Sequence, residues 1–189
     1  MRLTRADLEA HRDATVPDLV GPGVRLLFVG INPGLWTAAT QTHFAHPGNR
    51  FYPALFLGGL VGREIPRGGP MSPADRSHLV DRGIGITNVV ARATARASEL
   101  SEAEYREGGE RLRRTVAEHR PRVVAIAGIT AYRLAFALRT ARAGRQPEAF
   151  EGAQLWVVPN PSGLNAHETT QSLARAYRAP AEAAGVLLD

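Results

Sequence analysis

Two segments of this chain concentrate residue types able to do chemistry: Gly30-Ile31-Asn32-Pro33-Gly34, and Asn160-Pro161-Ser162-Gly163-Leu164-Asn165. Each joins an Asn to a Pro with glycine close by. An Asn side chain offers a carbonyl oxygen that can hold a water or a ligand N–H, and an amide nitrogen that can donate. Glycine lets backbone approach a bound group closely. Each segment also fits a plain turn, because Pro fixes φ, Gly allows positive φ and Asn tolerates strained geometry. Between them lies His43-Phe44-Ala45-His46-Pro47-Gly48-Asn49-Arg50-Phe51. Its H-x-x-H spacing could serve a metal, but no carboxylate or third ligand stands nearby. No metal and no cofactor are expected, and His46 is expected to brace the loop.

The elements that must position these residues are legible as four apolar runs. They are Arg25–Gly30, Gly85–Val90, Arg122–Gly128 and Gln154–Pro159, each nearly continuous and rich in β-branched or aromatic residues. That pattern suits strands buried on both faces. Helix signals occupy the intervals. Leu3-Thr4-x-x-Asp7-Leu8 reads as an N-cap with an acidic N3 residue and a hydrophobic staple. Ser72-Pro73-Ala74-Asp75 reads as N-cap, Pro at N1 and an acid in the first turn. Ser101-x-x-Glu104 is a capping box for a helix that stops before Pro121. A last helix is expected from about Glu168 to Ala179, capped by Asn165. Residues Gly58–Pro73 and Arg139–Gly152 read as loops. Strands alternating with helices predict one α/β domain over residues 1–189, three layers deep, with a short, mostly parallel sheet between helices. In such a sheet ligands bind beyond the carboxyl ends of the strands. Both Asn-Pro segments fall there, one after the first strand and one after the fourth.

Composition narrows the chemistry. Cysteine is absent, which excludes disulfides, thiolate nucleophiles and cysteine-held metals. Lysine is absent too, so all 23 basic residues are Arg and no side-chain amine can form a Schiff base. The net charge of +5, with a pI near 10.6, is compatible with an anionic partner such as nucleic acid. Part of that charge is expected on solvated helix faces, at Arg111, Arg113 and Arg114, and a GC-rich genome would also favour Arg. No apolar run reaches the ~18 residues that a bilayer span requires, and no signal-peptide pattern opens the sequence. A cytoplasmic, monomeric protein is expected. A Walker loop, a G-x-G-x-x-G fingerprint and an activated Ser nucleophile are all missing, which weighs against a small-molecule α/β enzyme on the same scaffold.

Taken together and in this order, GINPG (Gly30–Gly34), FAHPGNRF (Phe44–Phe51) and NPSGL (Asn160–Leu164) resemble the signatures of the mismatch-specific uracil/thymine-DNA glycosylases. The likeness spans about Leu26 to Tyr177. It implies the three-layer α/β/α fold of the uracil-DNA glycosylases and a double-stranded DNA partner carrying a mispaired or damaged base. The implied reaction hydrolyses the N-glycosidic bond of a flipped uracil opposite guanine, and also of ethenocytosine or related lesions. With no lysine, such an enzyme is monofunctional.

The resemblance also assigns roles. Asn32 would hold the attacking water through its side-chain carbonyl, by positioning rather than strong general-base catalysis; alternatively it closes the strand as an Asx-turn. Backbone N–H groups near Ile31, Gly34 and Phe44 would stabilise the departing base, where losing one such donor costs on the order of 3–4 kcal/mol of barrier. The Phe44 ring would stack on the extruded base, or else belong to the core. Leu164 would fill the hole left in the stack, or pack on the following helix. Gly163 and Asn165, on the loop begun by Asn160 and Ser162, would read the widowed guanine through their main chain. Thr37 and Asn88 would contact the base. Here the sequence departs from its relatives. Thr37 follows Trp36 where small Ser-type residues are expected, Asn88 stands where relatives often carry Lys, Ala91 where an acid is common, and Ala166 where a basic residue follows the wedge. These losses of polar groups motivate an alternative, a lesion-binding protein of the same fold with little or no turnover.

Overall fold

The computed structural model describes residues 3–188. The four apolar runs form four parallel strands: β1 (Leu26–Gly30), β2 (Ile84–Asn88), β3 (Val123–Ala127) and, after a short edge strand β4 (Gly144–Arg145), β5 (Gln154–Val158). The sheet order is β2-β1-β3-β5-β4. β4 runs antiparallel and pairs Gly144 with Val157 and Arg145 with Trp156. It lies inside the segment expected to be a loop. Two residues carry no period, so only the neighbouring strand could reveal it.

Alternate strand residues face opposite sides, as the two-residue period of a strand requires. Leu26, Phe28, Ile84, Ile86, Val123 and Ala125 join one core with α3 (Phe51–Leu57), α4 (Pro73–Asp81) and α7 (Thr170–Ala184). Leu27, Val29, Val124, Ile126, Leu155 and Val157 join the other with α5 (Glu102–His119) and α6 (Ile129–Phe136). The architecture is therefore helices, sheet, helices, as the sequence predicts.

The caps explain which helices the sequence announces. Thr4 begins α1 (Arg5–Glu9), Ser72 begins α4 and Ser101 begins α5, each accepting from the N3 backbone N–H. Helices α2 (Leu35–Thr40), α3 and α6 start at Gly34, Arg50 and Gly128 with no side-chain cap, so their starts carry no sequence signal. The last helix differs from expectation at both ends. Its cap is Thr169, whose side chain accepts from Ser172, and not Asn165. It also runs through Pro180 to Ala184, closing at Gly185 with φ 69°. Pro removes one hydrogen bond, but burial of Leu173, Tyr177, Ala181 and Ala184 on one face outweighs that loss.

The sheet order brings the two Asn-Pro loops together. β3 lies between β1 and β5, and it ends in Gly128 at φ 127°. A Cβ there would meet Ile31 at 3.5 Å and Asn160 at 3.9 Å. The loops that follow β1 and β5 thus converge over a strand end that bears no side chain.

Candidate active site at the carboxyl ends of the strands

A cavity of about 1020 Å³ opens at this edge, and among its lining residues are Asn32, Phe44, Asn88, Thr94 and Leu164. Ile31, Gly34, Thr37, Asn160, Ser162, Gly163 and Asn165 also line it, so every candidate residue of the sequence reading borders one space.

Asn32 is held by its nitrogen. Nδ2 donates to the carbonyl of Arg92 at 2.9 Å, to that of Pro33 at 3.2 Å and to Thr94 Oγ1 at 2.8 Å. Two of these partners are carbonyl oxygens, which only accept, so the nitrogen must lie on that side. Thr94 Oγ1 spends its own proton on the Arg96 carbonyl at 2.9 Å and is left as an acceptor for Asn32. Oδ1 accepts from nothing among the described residues and remains for the cavity. The side chain is therefore no Asx-turn, which would require Oδ1 to accept from the backbone.

The segment presenting Arg92 and Thr94 is itself pinned. Arg92 is paired with Glu104 at 2.7 Å and with Asp13 at 2.7 Å. The hydrogen bond from Arg92, with those from Ser101, pulls the Glu104 carboxyl down to about 2. Neither Thr94 nor the Arg92 carbonyl could be found from the sequence, because Thr94 lies 62 residues from Asn32 along the chain.

Phe44 sits at φ 55°, a conformation bulky side chains rarely adopt and one that costs roughly 1–2 kcal/mol. Its ring stacks on Phe51, with centroids 4.1 Å apart and planes at 27°. Phe51 is fully buried, whereas Phe44 is half-buried and lines the cavity. One aromatic face is thus fixed by the core and the ring remains at the cavity. The strain and the exposure together separate Phe44 from an ordinary core Phe. Neither the Phe44 nor the Gly34 N–H meets a backbone acceptor among the described residues.

Gly30 makes room for two of these groups at once. A Cβ at that strand end would lie 2.4 Å from Asn88 Oδ1 and 3.2 Å from Phe44 Cζ. Asn88, the last residue of β2, is buried. Its Nδ2 faces His43 Nδ1 at 3.2 Å, and His43 Nε2 faces the Pro17 carbonyl at 3.0 Å. Burial of the imidazole pushes its pKa below the usual histidine value, so it is neutral at pH 7. His43 and His46 serve separate purposes. His46 Nδ1 accepts from Gly48 N–H at 3.0 Å, bracing the loop as expected, and its ring meets Trp36 edge-on at 5.8 Å. Among the described residues no group of three His, Asp or Glu is placed to hold a metal ion.

The rim formed by Asn160–Asn165 is built differently. Asn160 Oδ1 accepts from Ser162 N–H at 3.0 Å, a true Asx-turn, and Asn165 Nδ2 donates to the Asn160 carbonyl at 3.1 Å. The Asn165 N–H donates to the Ser162 carbonyl at 3.0 Å, and the Asn165 carbonyl accepts from Arg50 at 2.7 Å. Both main-chain groups of Asn165 are therefore hydrogen-bonded within the protein, one to the loop and one to Arg50. Arg50 also donates to the carbonyls of Ser162 and Glu168, so one guanidinium ties the helix α3 start to the whole rim. A Cβ on Gly163 would lie 2.5 Å from the Gly48 carbonyl, which shows how closely the two loops meet. Leu164 projects from this braced loop with 91% of its surface exposed, so it does not pack on the following helix. A loop so firmly held around one exposed Leu can press that side chain against a partner.

No helix among the described residues is long and apolar enough to cross a membrane. The fold is similar to the solution NMR structure of a protein from Methanosarcina acetivorans that is provisionally described as a uracil DNA glycosylase. The two share 18% identity with a TM-score of 0.59, over 87% of this chain and 96% of that one. Residues 17–181 match the model of the uracil DNA glycosylase superfamily, whose members are N-glycosylases acting on DNA, and the chain belongs to that superfamily.

Proposed function

We propose that the protein is a monofunctional DNA glycosylase that flips uracil out of duplex DNA, with preference for uracil opposite guanine, and hydrolyses its glycosidic bond. Ethenocytosine and related lesions belong to the same proposed range. The observation that carries the reading is the Asn32 amide, with its nitrogen held by two carbonyls and a hydroxyl and its oxygen free at the cavity.

The chemistry follows from what that oxygen can and cannot do. It accepts a hydrogen bond and so orients water toward C1′ of the sugar, but it does not take up a proton at neutral pH. Bond cleavage therefore runs ahead of water attack. The C1′–N1 pair leaves with the base, a sugar cation forms, and water oxygen bonds to C1′ while its proton is released to solvent. The base anion is stabilised by the unpaired N–H groups of Gly34 and Phe44 and later takes a proton from water. Phe44 offers a flat face to the extruded ring, where stacking contributes ~1–3 kcal/mol per base. Leu164 fills the vacated stack; burying one Leu stabilises by ~1.5–3 kcal/mol, comparable to the few kcal/mol that flipping costs. The product is an abasic site and free base.

The test is incubation with duplexes bearing U, T, ethenocytosine, hypoxanthine or xanthine opposite each normal base. Excision of uracil over many turnovers is expected, strongest opposite guanine, with no borohydride-trapped adduct. A second reading, a lesion-binding protein with little or no turnover, draws on Ala91 and the exposed Ala166, which bring no charge to the DNA. A single turnover per protein, or tight lesion binding without any abasic product, would establish that reading instead.

A further inference from the structure

His43 does none of the steps above, yet it is buried beside the cavity and makes two specific contacts. The Pro17 carbonyl faces Nε2 at 3.0 Å, and a carbonyl can only accept. Nε2 therefore carries the proton. In a neutral imidazole the other nitrogen is then a bare acceptor, and it faces Asn88 Nδ2 at 3.2 Å. The amide of Asn88 is thereby oriented: nitrogen toward the histidine, oxygen away from it. Oδ1 lies beside Gly30 and Phe44, in a residue that lines the cavity, and no group among the described residues donates to it.

We propose that His43 is a positioning residue that sets the polarity of the base pocket, making Asn88 present an oxygen and so selecting a base whose edge carries an imide N–H. The inference rests on the glycosylase reading for its substrate, but the orientation itself does not. An amide is nearly symmetric in shape and opposite in hydrogen bonding at its two ends. Without a partner that distinguishes them, Asn88 could turn by a half rotation and offer NH₂ to the pocket. That edge would suit a pyrimidine with a bare N3, as in cytosine, and would reject uracil. A pocket that leaves a buried polar group unpaired discriminates strongly against the wrong ligand. The choice between these two pockets is thus made one residue back from the base.

The same relay gives a pH signature. A second proton on His43 makes Nδ1 a donor facing a donor, and the favourable response is for Asn88 to turn its oxygen inward. The charged and titratable groups around the ring come from several elements. Asp18, next to Pro17, favours protonation and Arg76 on α4 opposes it. The Tyr52 hydroxyl, on α3, donates to the His43 carbonyl at 2.7 Å, and Asp75 lies close to Tyr52. His46 also faces the cavity, from the loop.

Two measurements test the proposal. Long-range proton–nitrogen NMR of protein labelled with ¹⁵N at histidine reports the tautomer of His43 without any substrate. The Nε2–H form is expected, and an Nδ1–H form would overturn the proposal whatever the enzyme acts on. The second compares kcat/KM on duplexes carrying uracil or N3-methyluracil, in wild type, His43→Gln and His43→Leu. Wild type should favour uracil by roughly 10–100-fold, the effect of one lost hydrogen bond to a buried acceptor. His43→Gln can still offer an oxygen to Asn88 and should keep most of that ratio. It should also lose the fall in uracil activity that wild type shows below the ordinary histidine range. His43→Leu should lower the ratio at least about fivefold. An undiminished ratio in folded His43→Leu, or an unchanged acid fall in His43→Gln, would overturn the proposal. Absence of all glycosylase activity in wild type would instead refute the glycosylase reading and leave the NMR result to decide the orientation.

Discussion

The same dipeptide, Asn-Pro, follows two parallel strands of one sheet and is put to opposite uses. At Asn32 the amide nitrogen is bound and the oxygen is left for the cavity. At Asn160 the oxygen is bound, by Ser162 N–H, and the side chain closes a turn. One loop has become rigid in order to aim a lone pair. The other has become rigid in order to hold Leu164 in solvent, braced by Arg50 through three carbonyls. What separates them is the neighbouring segment rather than the loop. Arg92–Thr94 lies against the first and supplies acceptors, whereas the second turns back on itself.

Substitutions should accordingly divide cleanly between the loops. Asn32→Ala should give the largest effect, a fall of about 10²–10³-fold in kcat in single-turnover assays, with lesion binding retained. Normal turnover in that variant would show that water is held elsewhere. Next comes Leu164→Ala. It should lower activity on duplex uracil roughly 10–100-fold and leave single-stranded uracil nearly unaffected. Thermal stability should not change, since so exposed a side chain contributes little packing.

A paired exchange sharpens the comparison further. Asn32→Asp places a carboxylate against the carbonyls of Pro33 and Arg92, and should cost about 1–3 kcal/mol in urea denaturation at pH 7. Asn160→Asp keeps the accepting oxygen and should be nearly neutral. Equal costs at the two positions would erase the distinction between the two loops. Thr94→Val removes one of three partners of Asn32 Nδ2 and should cost about 1 kcal/mol, read as a several-fold fall in kcat with KM unchanged.

The smallest effect concerns pH. His43 is held below its ordinary value by burial, so the unfolded chain takes up a proton that the folded protein resists. Stability contributed by neutral His43 is fully present above about pH 6.5 and declines as pH falls through that unfolded value. His43→Gln should flatten that part of the stability profile, measured by denaturant midpoint against pH.

Much of the frame was legible because it depends on local patterns. Continuous apolar runs marked the buried parallel strands, and Thr4, Ser72 and Ser101 announced three helices through their caps. Helices α2, α3 and α6 went unannounced because their N-cap residues, Gly34, Arg50 and Gly128, make no side-chain cap. The cap of the last helix was misplaced for a related reason. Asn165 and Thr169 both carry capping side chains, and the bonds of Asn165 to Asn160, Ser162 and Arg50 hold it in the loop. Within the site, the residue types at positions 32, 44, 88 and 164 were readable, but their partners were not. Thr94, the Arg92 carbonyl, Arg50 and His43 reach the site from segments far along the chain or through contacts that carry no motif.

Sequence alone determined the layers, the four parallel strands, the absence of Lys and Cys chemistry, and the presence of two Asn-Pro loops at strand ends. Tertiary structure decided which end of each Asn amide is free. An amide offers a donor and an acceptor of nearly equal size, and only the groups packed around it break that tie.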